Sequence, residues 1–265
     1  EHPGPDRGIS FGDGAFETIR VEGGRMLFRE AHQNRLTAAL QTLHLRLPCR
    51  WTDIIKQAHF MAAHCPYGRL KILVVRAGDG TYTPPTQEAL IWLSIQEMLE
   101  NPQYPLGSEH RLILYPHARL VAAPWSRFKT LSALLYVQAA RYAVEKGFTD
   151  AILLSAEGYL AETSRANLFW YDGERLHTPP LSTGAVEGIL RGQVLASATR
   201  LHVLTRESLA APEALLSARE VFTTNVIQGL APVRLIKLSD RLERIYPEPE
   251  LLPHLAGQLQ KIIFS

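Results

Sequence analysis

S-R-F-K-T-L-S, Ser126 to Ser132, marks the point where the chain changes character. Before it, from His117 to Phe128, the residues show little periodicity and include Pro124, the pattern of a connection rather than an element. After it, about Ser132 to Lys146, the chain reads as a long helix. The break predicts a small N-terminal α/β domain over 1–116, a connection over 117–128 and a larger C-terminal domain over 129–265.

Upstream, F-E-T-I-R-V (Phe16 to Val21) alternates as a strand and turns through Glu22-Gly23-Gly24-Arg25. Glu30 to Leu43 and Trp51 to His64 carry apolar residues at helical spacing, and Leu70 to Val75 and Ala89 to Ile95 are dense strand-length runs. Arg111 to Tyr115 reads as a further strand. Downstream, Ala151 to Leu154, Asn167 to Tyr171 and Glu220 to Thr223 read as strands, and Gly188 to Leu201 as a helix. Strands and helices mix without strict alternation, which argues for two α+β domains and against a doubly wound sheet.

With 46% hydrophobic and 20% charged residues, the chain has the balance of a globular protein that buries a core. The formal net charge is +2 and the basic residues are scattered, so no nucleic-acid partner is expected. Cys49 and Cys65 fit neither a disulfide framework nor a common zinc spacing; reduced thiols, no metal site and a cytoplasmic setting are expected. No apolar run approaches the roughly 18 residues of a membrane span, and the opening residues, which start at Glu1 rather than Met, do not read as a signal peptide.

Lys129 lies between an aromatic residue and an apolar helix face, where partial desolvation would leave a neutral, nucleophilic amine. Taken alone, a lysine at a helix start is more often a solvated surface charge. Glu162 follows Leu160-Ala161 and precedes a strand; turned inward, it needs a cation or hydrogen bonds, and turned outward it is an ordinary turn acid. Gly188-Ile189-Leu190 opens a helix whose free N–H groups suit an anion, Thr223 and Thr224 end a strand with further donors, and Arg35 offers a forked cation. His32 reads as a turn or packing histidine rather than a catalytic base. Each signal is weak by itself.

Their order is specific. F-G-D-G (Phe11 to Gly14), H-x-x-R-L (His32 to Leu36), K-T-L-S (Lys129 to Ser132), A-E-x-S-x-x-N-L-F (Ala161 to Phe169), G-I-L-R (Gly188 to Arg191) and T-T-N (Thr223 to Asn225) together resemble the class IV, fold type IV pyridoxal-phosphate family. That family includes branched-chain aminotransferases, D-amino-acid aminotransferases and 4-amino-4-deoxychorismate lyases. The resemblance runs from Asp6 to Val233. It implies a two-domain α+β fold of the D-amino-acid aminotransferase type, pyridoxal 5'-phosphate as cofactor between the domains, a small-molecule substrate and a homodimer. It further implies that Lys129 carries the cofactor covalently and that Glu162 pairs with its pyridine nitrogen. Arg35, the amides of Ile189 and Leu190 behind Gly188, and Thr224, with Thr223 nearby, would hold the phosphate. Val186 would pack on the ring, and Ser164 would join the hydrogen bonds around it. Phe11, Phe16 and the loop from Arg76 to Tyr82 would face the substrate.

Which reaction follows depends on that loop, because the cofactor apparatus is shared. Ala77 to Pro85 reads A-G-D-G-T-Y-T-P-P. It lacks the tyrosine-arginine motif of branched-chain enzymes and the Arg-x-His clamp of D-amino-acid enzymes. It also departs from the usual lyase form, since Thr81 rather than an arginine precedes Tyr82, and K-H-L-N is here K-T-L-S. The compact loop and short chain point toward a lyase releasing 4-aminobenzoate and pyruvate, with substrate carboxylates met by Arg119, Arg127 or a second subunit. The alternatives are a class IV aminotransferase acting on branched-chain or D-amino acids and, more remotely, a non-catalytic α+β binding protein.

Overall fold

The computed structural model describes residues 7–101 and 103–264; Asp6, the first residue of the matching region, lies outside them. The chain forms two compact units, each with its own sheet.

The first unit comprises the described residues up to Asn101 together with Phe128–Ala133. A short helix, α1 (Arg7–Phe11), leads into β1 (Gly14–Glu22) and β2 (Arg25–Met26), then α2 (Arg29–Thr42), α3 (Trp51–Ala63), β3 (Tyr67–Arg76) and β4 (Ala89–Glu97). The antiparallel sheet runs β2-β1-β3-β4. Ala15, Ile19 and Val21 of β1 and Leu70, Ile72 and Val74 of β3 bury one sheet face against Leu36, Ala39 and Leu40 of α2 and Ile54, Ala58 and Ala62 of α3. Each fully buried Leu or Ile there contributes roughly 1.5–3 kcal/mol.

Gly14 opens β1 because nothing larger fits: a Cβ there would stand 2.4 Å from Val74 O and 2.9 Å from Leu131 Cδ1. Gly14→Ala is expected to destabilise the unit by about 1–3 kcal/mol, the usual cost of overpacking. The midpoint of urea unfolding should fall at unchanged slope; an unmoved midpoint would contradict the close approach.

The second unit begins after Asn101, excludes Phe128–Ala133 and resumes at Leu134. In order it holds β5 (His110–Leu114), α4 (Leu134–Glu145), β6 (Asp150–Leu154), β7 (Leu160–Thr163), β8 (Asn167–Tyr171), β9 (Arg175–Thr178), α5 (Ile189–Arg200), β10 (Leu204–Glu207), α6 (Ala214–Ser217), β11 (Glu220–Asn225), β12 (Gly229–Ser239), β13 (Leu242–Ile245) and α7 (Leu251–Phe264). Its sheet runs β10-β9-β8-β11-β12-β5-β6-β7, with β13 added on β12. β6 is buried on both faces: Ile152 and Leu154 join Leu112 in one apolar cluster, whereas Ala151 and Leu153 join Ala139 and Ala143 of α4 in another.

The expected division at 116 and 129 is therefore corrected at both ends. β5 pairs in parallel with β6 and β12, so the second unit starts before it. Residues 128–133 return to the first unit because they run along β1. Among the described residues no helix is long and apolar enough to cross a membrane.

Candidate active site

Lys129 is set by its backbone. Phe16 N donates to Lys129 O at 2.8 Å and Leu131 N to Gly14 O at 3.1 Å, so the segment extends the sheet at the start of β1. Lys129 Nζ stands 4.8 Å from the centre of the Phe16 ring. On the same strand, Glu17 occupies the inward-facing row between Ala15 and Ile19 and is buried. A carboxylate there needs partners, and α2 supplies them. Arg35 Nε and Nη2 both donate at 2.7 Å, and His32 Nδ1 bonds at 2.7 Å. The H-x-x-R spacing puts both side chains on one face of the helix.

Burial raises the Glu17 pKa, but the Arg35 charge and the hydrogen bonds from His32 and Arg35 outweigh it and hold the carboxyl at about 2. Burial lowers the His32 pKa, the bond to Glu17 opposes this, and the charges of Arg35 and Lys129 lower it further. His32 is thus a neutral ring that donates Nδ1–H to Glu17, and its buried Nε2 has no partner among the described residues. Both groups bind protons more readily when unfolded, so stability is complete above 6.5 and declines with acid. The first loss comes through His32, and the second through Glu17 between its ordinary 4.5 and about 2. Glu17→Gln should flatten the lower part of a melting temperature–pH curve; a variant that follows the parent curve there would refute the assignment.

The second constellation lies wholly in the second unit. Leu153, in the cluster under α4, has Glu162 as its register partner, and the register shift in β7 brings that carboxylate out on the α4 side. Glu162 is buried and accepts hydrogen bonds from Tyr136 OH at 2.7 Å, Val186 N at 3.1 Å and Asn167 Nδ2 at 3.2 Å. Asn167 also donates to Val186 O at 2.8 Å. Gly188, the residue before α5, is required beside it, because a Cβ would fall 1.9 Å from Asn167 Oδ1. The first turn of α5, Ile189 and Leu190 included, presents N–H groups that have no acceptor within the helix.

Thr224 pairs in register with Asn167, and its hydroxyl is buried without a partner among the described residues. Its neighbour Thr223 points to the opposite face, where its hydroxyl bonds His110 Nδ1 at 2.9 Å. The expected Thr223–Thr224 pair is therefore split by strand alternation. Ser164 is likewise engaged elsewhere, donating to the buried Asp150.

The expected substrate-facing residues divide too. Phe11 stacks obliquely with the exposed Tyr82, ring centres 5.4 Å apart. Arg76 has its guanidinium engaged within the unit: Nε bonds Asp13 at 2.9 Å, Nη1 bonds the carbonyls of His44 and Thr86, and Nη2 bonds that of Leu43. It ties the loop to its base. Arg7, not singled out in the sequence, shares Asp13 at 2.9 Å and holds the carbonyls of Asp79, Thr81 and Tyr82. Arg127 pairs with Glu187, whereas Arg119 is exposed. Neither periodicity nor the motifs give Glu17 or Tyr136 a role, Asn167 stands in its motif without one, and His32 bonds a buried carboxylate.

The family model for class IV amino-transferases matches residues 14–236. The chain is 28% identical over 263 residues to an aminodeoxychorismate lyase of Vibrio harveyi, covering 96% of this chain and 94% of that protein. It is 27% identical over 248 residues to a branched-chain-amino-acid aminotransferase of Salmonella typhimurium, covering 85% and 77%. The crystal structure of 4-amino-4-deoxychorismate lyase from Pseudomonas aeruginosa superposes with a TM-score of 0.83 at 26% identity, over 98% of this chain and 95% of that one. The chain belongs to the class IV aminotransferase family, the fold type IV enzymes that work with pyridoxal phosphate.

Proposed function

We propose that the protein is an aminodeoxychorismate lyase that converts 4-amino-4-deoxychorismate to 4-aminobenzoate and pyruvate. One observation carries the choice of reaction. The guanidinium groups of Arg76 and Arg7, at the loop where an amino-acid substrate's carboxylate would be clamped, are bound to Asp13 and to loop carbonyls. An amino acid presents its carboxylate beside the reacting carbon and normally meets an Arg or a cluster of donors there. The lyase substrate carries its carboxylates farther away, and the exposed Arg119 suits one of them.

The residues present fit pyridoxal phosphate. An orphaned, buried Thr224 hydroxyl and the α5 amides suit a phosphate, and the buried Glu162 carboxylate suits a protonated pyridine. When bound, the cofactor supplies an electron-accepting ring that delocalises the charge left by proton removal. In this reading Lys129 would hold the cofactor covalently, and its amine would take the proton from the substrate ring carbon that bears nitrogen. Glu162 would keep the pyridine nitrogen protonated, Val186 would pack on the ring, and Arg35 would add charge for the phosphate. Glu17 holds that arginine in a fixed orientation through two bonds of 2.7 Å. Departure of the enolpyruvyl group then leaves an aromatic product.

We take the working form to be a homodimer, which equilibrium sedimentation at twice the 29.6 kDa chain mass would support. The reaction itself is tested by following 4-aminobenzoate from aminodeoxychorismate and, separately, transamination of alanine, leucine or glutamate with an oxo acid. Brisk transamination without 4-aminobenzoate would transfer the chain to the aminotransferases.

A further inference from the structure

The A-E-x-S-x-x-N-L-F motif holds Glu162 and Asn167, and the resemblance gives Val186 a role, but neither includes a further donor to the Glu162 carboxylate. Tyr136, the third residue of α4, donates its phenol to Glu162 Oε1 at 2.7 Å, closer than Val186 N at 3.1 Å and Asn167 Nδ2 at 3.2 Å. The contact exists because α4 covers the sheet face onto which the β7 register shift brings Glu162. Tyr136 is half-buried against the Ala139–Ala143 cluster. Burial, then the Glu162 charge and the bond to it, push its pKa above the ordinary phenol range, so it stays a protonated donor. A hydrogen bond given to a carboxylate favours its ionised form and makes it a weaker base.

We propose that Tyr136 is a positioning residue for the reaction: its hydroxyl fixes the Glu162 carboxylate in angle and keeps it ionised, so that a proton shared with an aromatic ring nitrogen rests on the nitrogen. This rests on the reading of Glu162 as the partner of the cofactor's pyridine nitrogen. Val186 N and Asn167 Nδ2 are held by the backbone and by a second bond to Val186 O, so they orient the carboxylate whatever its charge. Tyr136 adds a donor that a single atom's deletion removes.

The experiment uses holoenzyme reconstituted with pyridoxal phosphate labelled with nitrogen-15 in the ring. Tyr136→Phe should move the ring nitrogen resonance toward its unprotonated value and lower kcat about tenfold, with KM little changed. Fluorotyrosine placed at 136, a stronger donor of nearly the same shape, should move the resonance the opposite way. Glu162→Gln should move it further in the unprotonated direction than Tyr136→Phe does. If Tyr136→Phe only lowers the melting temperature and leaves the resonance in place, Tyr136 is a packing residue and the inference fails. Should Tyr136→Phe not fold, the fluorotyrosine protein decides, since an unmoved resonance there overturns the proposal. An unmoved resonance in Glu162→Gln would instead remove the assignment beneath it, and the inference with it.

Discussion

Lys129→Ala is expected to lower turnover by at least the 10²–10⁴-fold typical of losing a positioned proton carrier, with the covalent anchor lost as well. The fold should survive, since the structural duty of this residue is carried by its carbonyl, which accepts from Phe16 N at 2.8 Å whatever the side chain. Circular dichroism and melting temperature should therefore stay close to the parent while the cofactor's borohydride-sensitive absorbance disappears. Lys129→Arg separates two contributions. It restores a positive charge near Phe16 and His32 but presents a guanidinium that stays protonated and cannot act as a nucleophile. Both variants should be inactive. Normal turnover in either would end the mechanism proposed for this chain.

Glu162→Gln carries the second large effect, and it appears in two measurements. The carboxylate accepts from Val186 N on one oxygen and from Asn167 Nδ2 on the other, so a glutamine must turn its NH₂ toward one of these donors. Leaving a buried donor unpaired costs about 1–3 kcal/mol, which urea unfolding resolves. Catalysis should suffer separately, because an amide cannot hold a pyridinium proton; each 1.4 kcal/mol of lost stabilisation is about tenfold in rate. A variant that loses stability but keeps its rate would mean that Glu162 organises the β7–β8 turn and does nothing to the cofactor.

Periodicity located much of the framework. F-E-T-I-R-V falls inside β1, and the helices expected at Glu30–Leu43, Trp51–His64 and Gly188–Leu201 correspond to α2, α3 and α5 within a residue or two. β12 escaped because Pro232 interrupts its alternation, although it is an interior strand of the larger sheet. α7 carries a readable signal in Leu252, Leu255, Ala256, Leu259 and Ile263, which are all buried, but Pro253 stands in its first turn.

At the site, period-two patterning finds a strand without telling which row faces inward. In β1 the buried row holds Glu17, Ile19 and Val21, so an acid that reads as solvent-facing sits at the centre of a buried ion-pair cluster. The same ambiguity made Thr223 and Thr224 look equivalent when one serves His110 and the other is left open. Tyr136 was illegible for a different reason. Its partner depends on a register shift in a strand that comes later in the chain, which no local pattern records.

The return of residues 128–133 to the first unit has a consequence for biosynthesis. A nascent chain that has emerged through β4 already holds β1, β2 and β3, yet Gly14 O and Phe16 N still lack the partners that Leu131 and Lys129 supply. That stretch of β1 remains an open strand edge, a template for unwanted pairing, until the ribosome has translated the chain beyond β5 as well. The nucleophile thus reaches its sheet last. A gene cut after Asn101, where the first continuous stretch of the unit ends, would encode a protein with no Lys129 and an unfilled edge beside Gly14. Cutting and recombining such genes at the apparent unit boundary should give insoluble products, whereas an exchange that keeps 7–133 together preserves the closing strand.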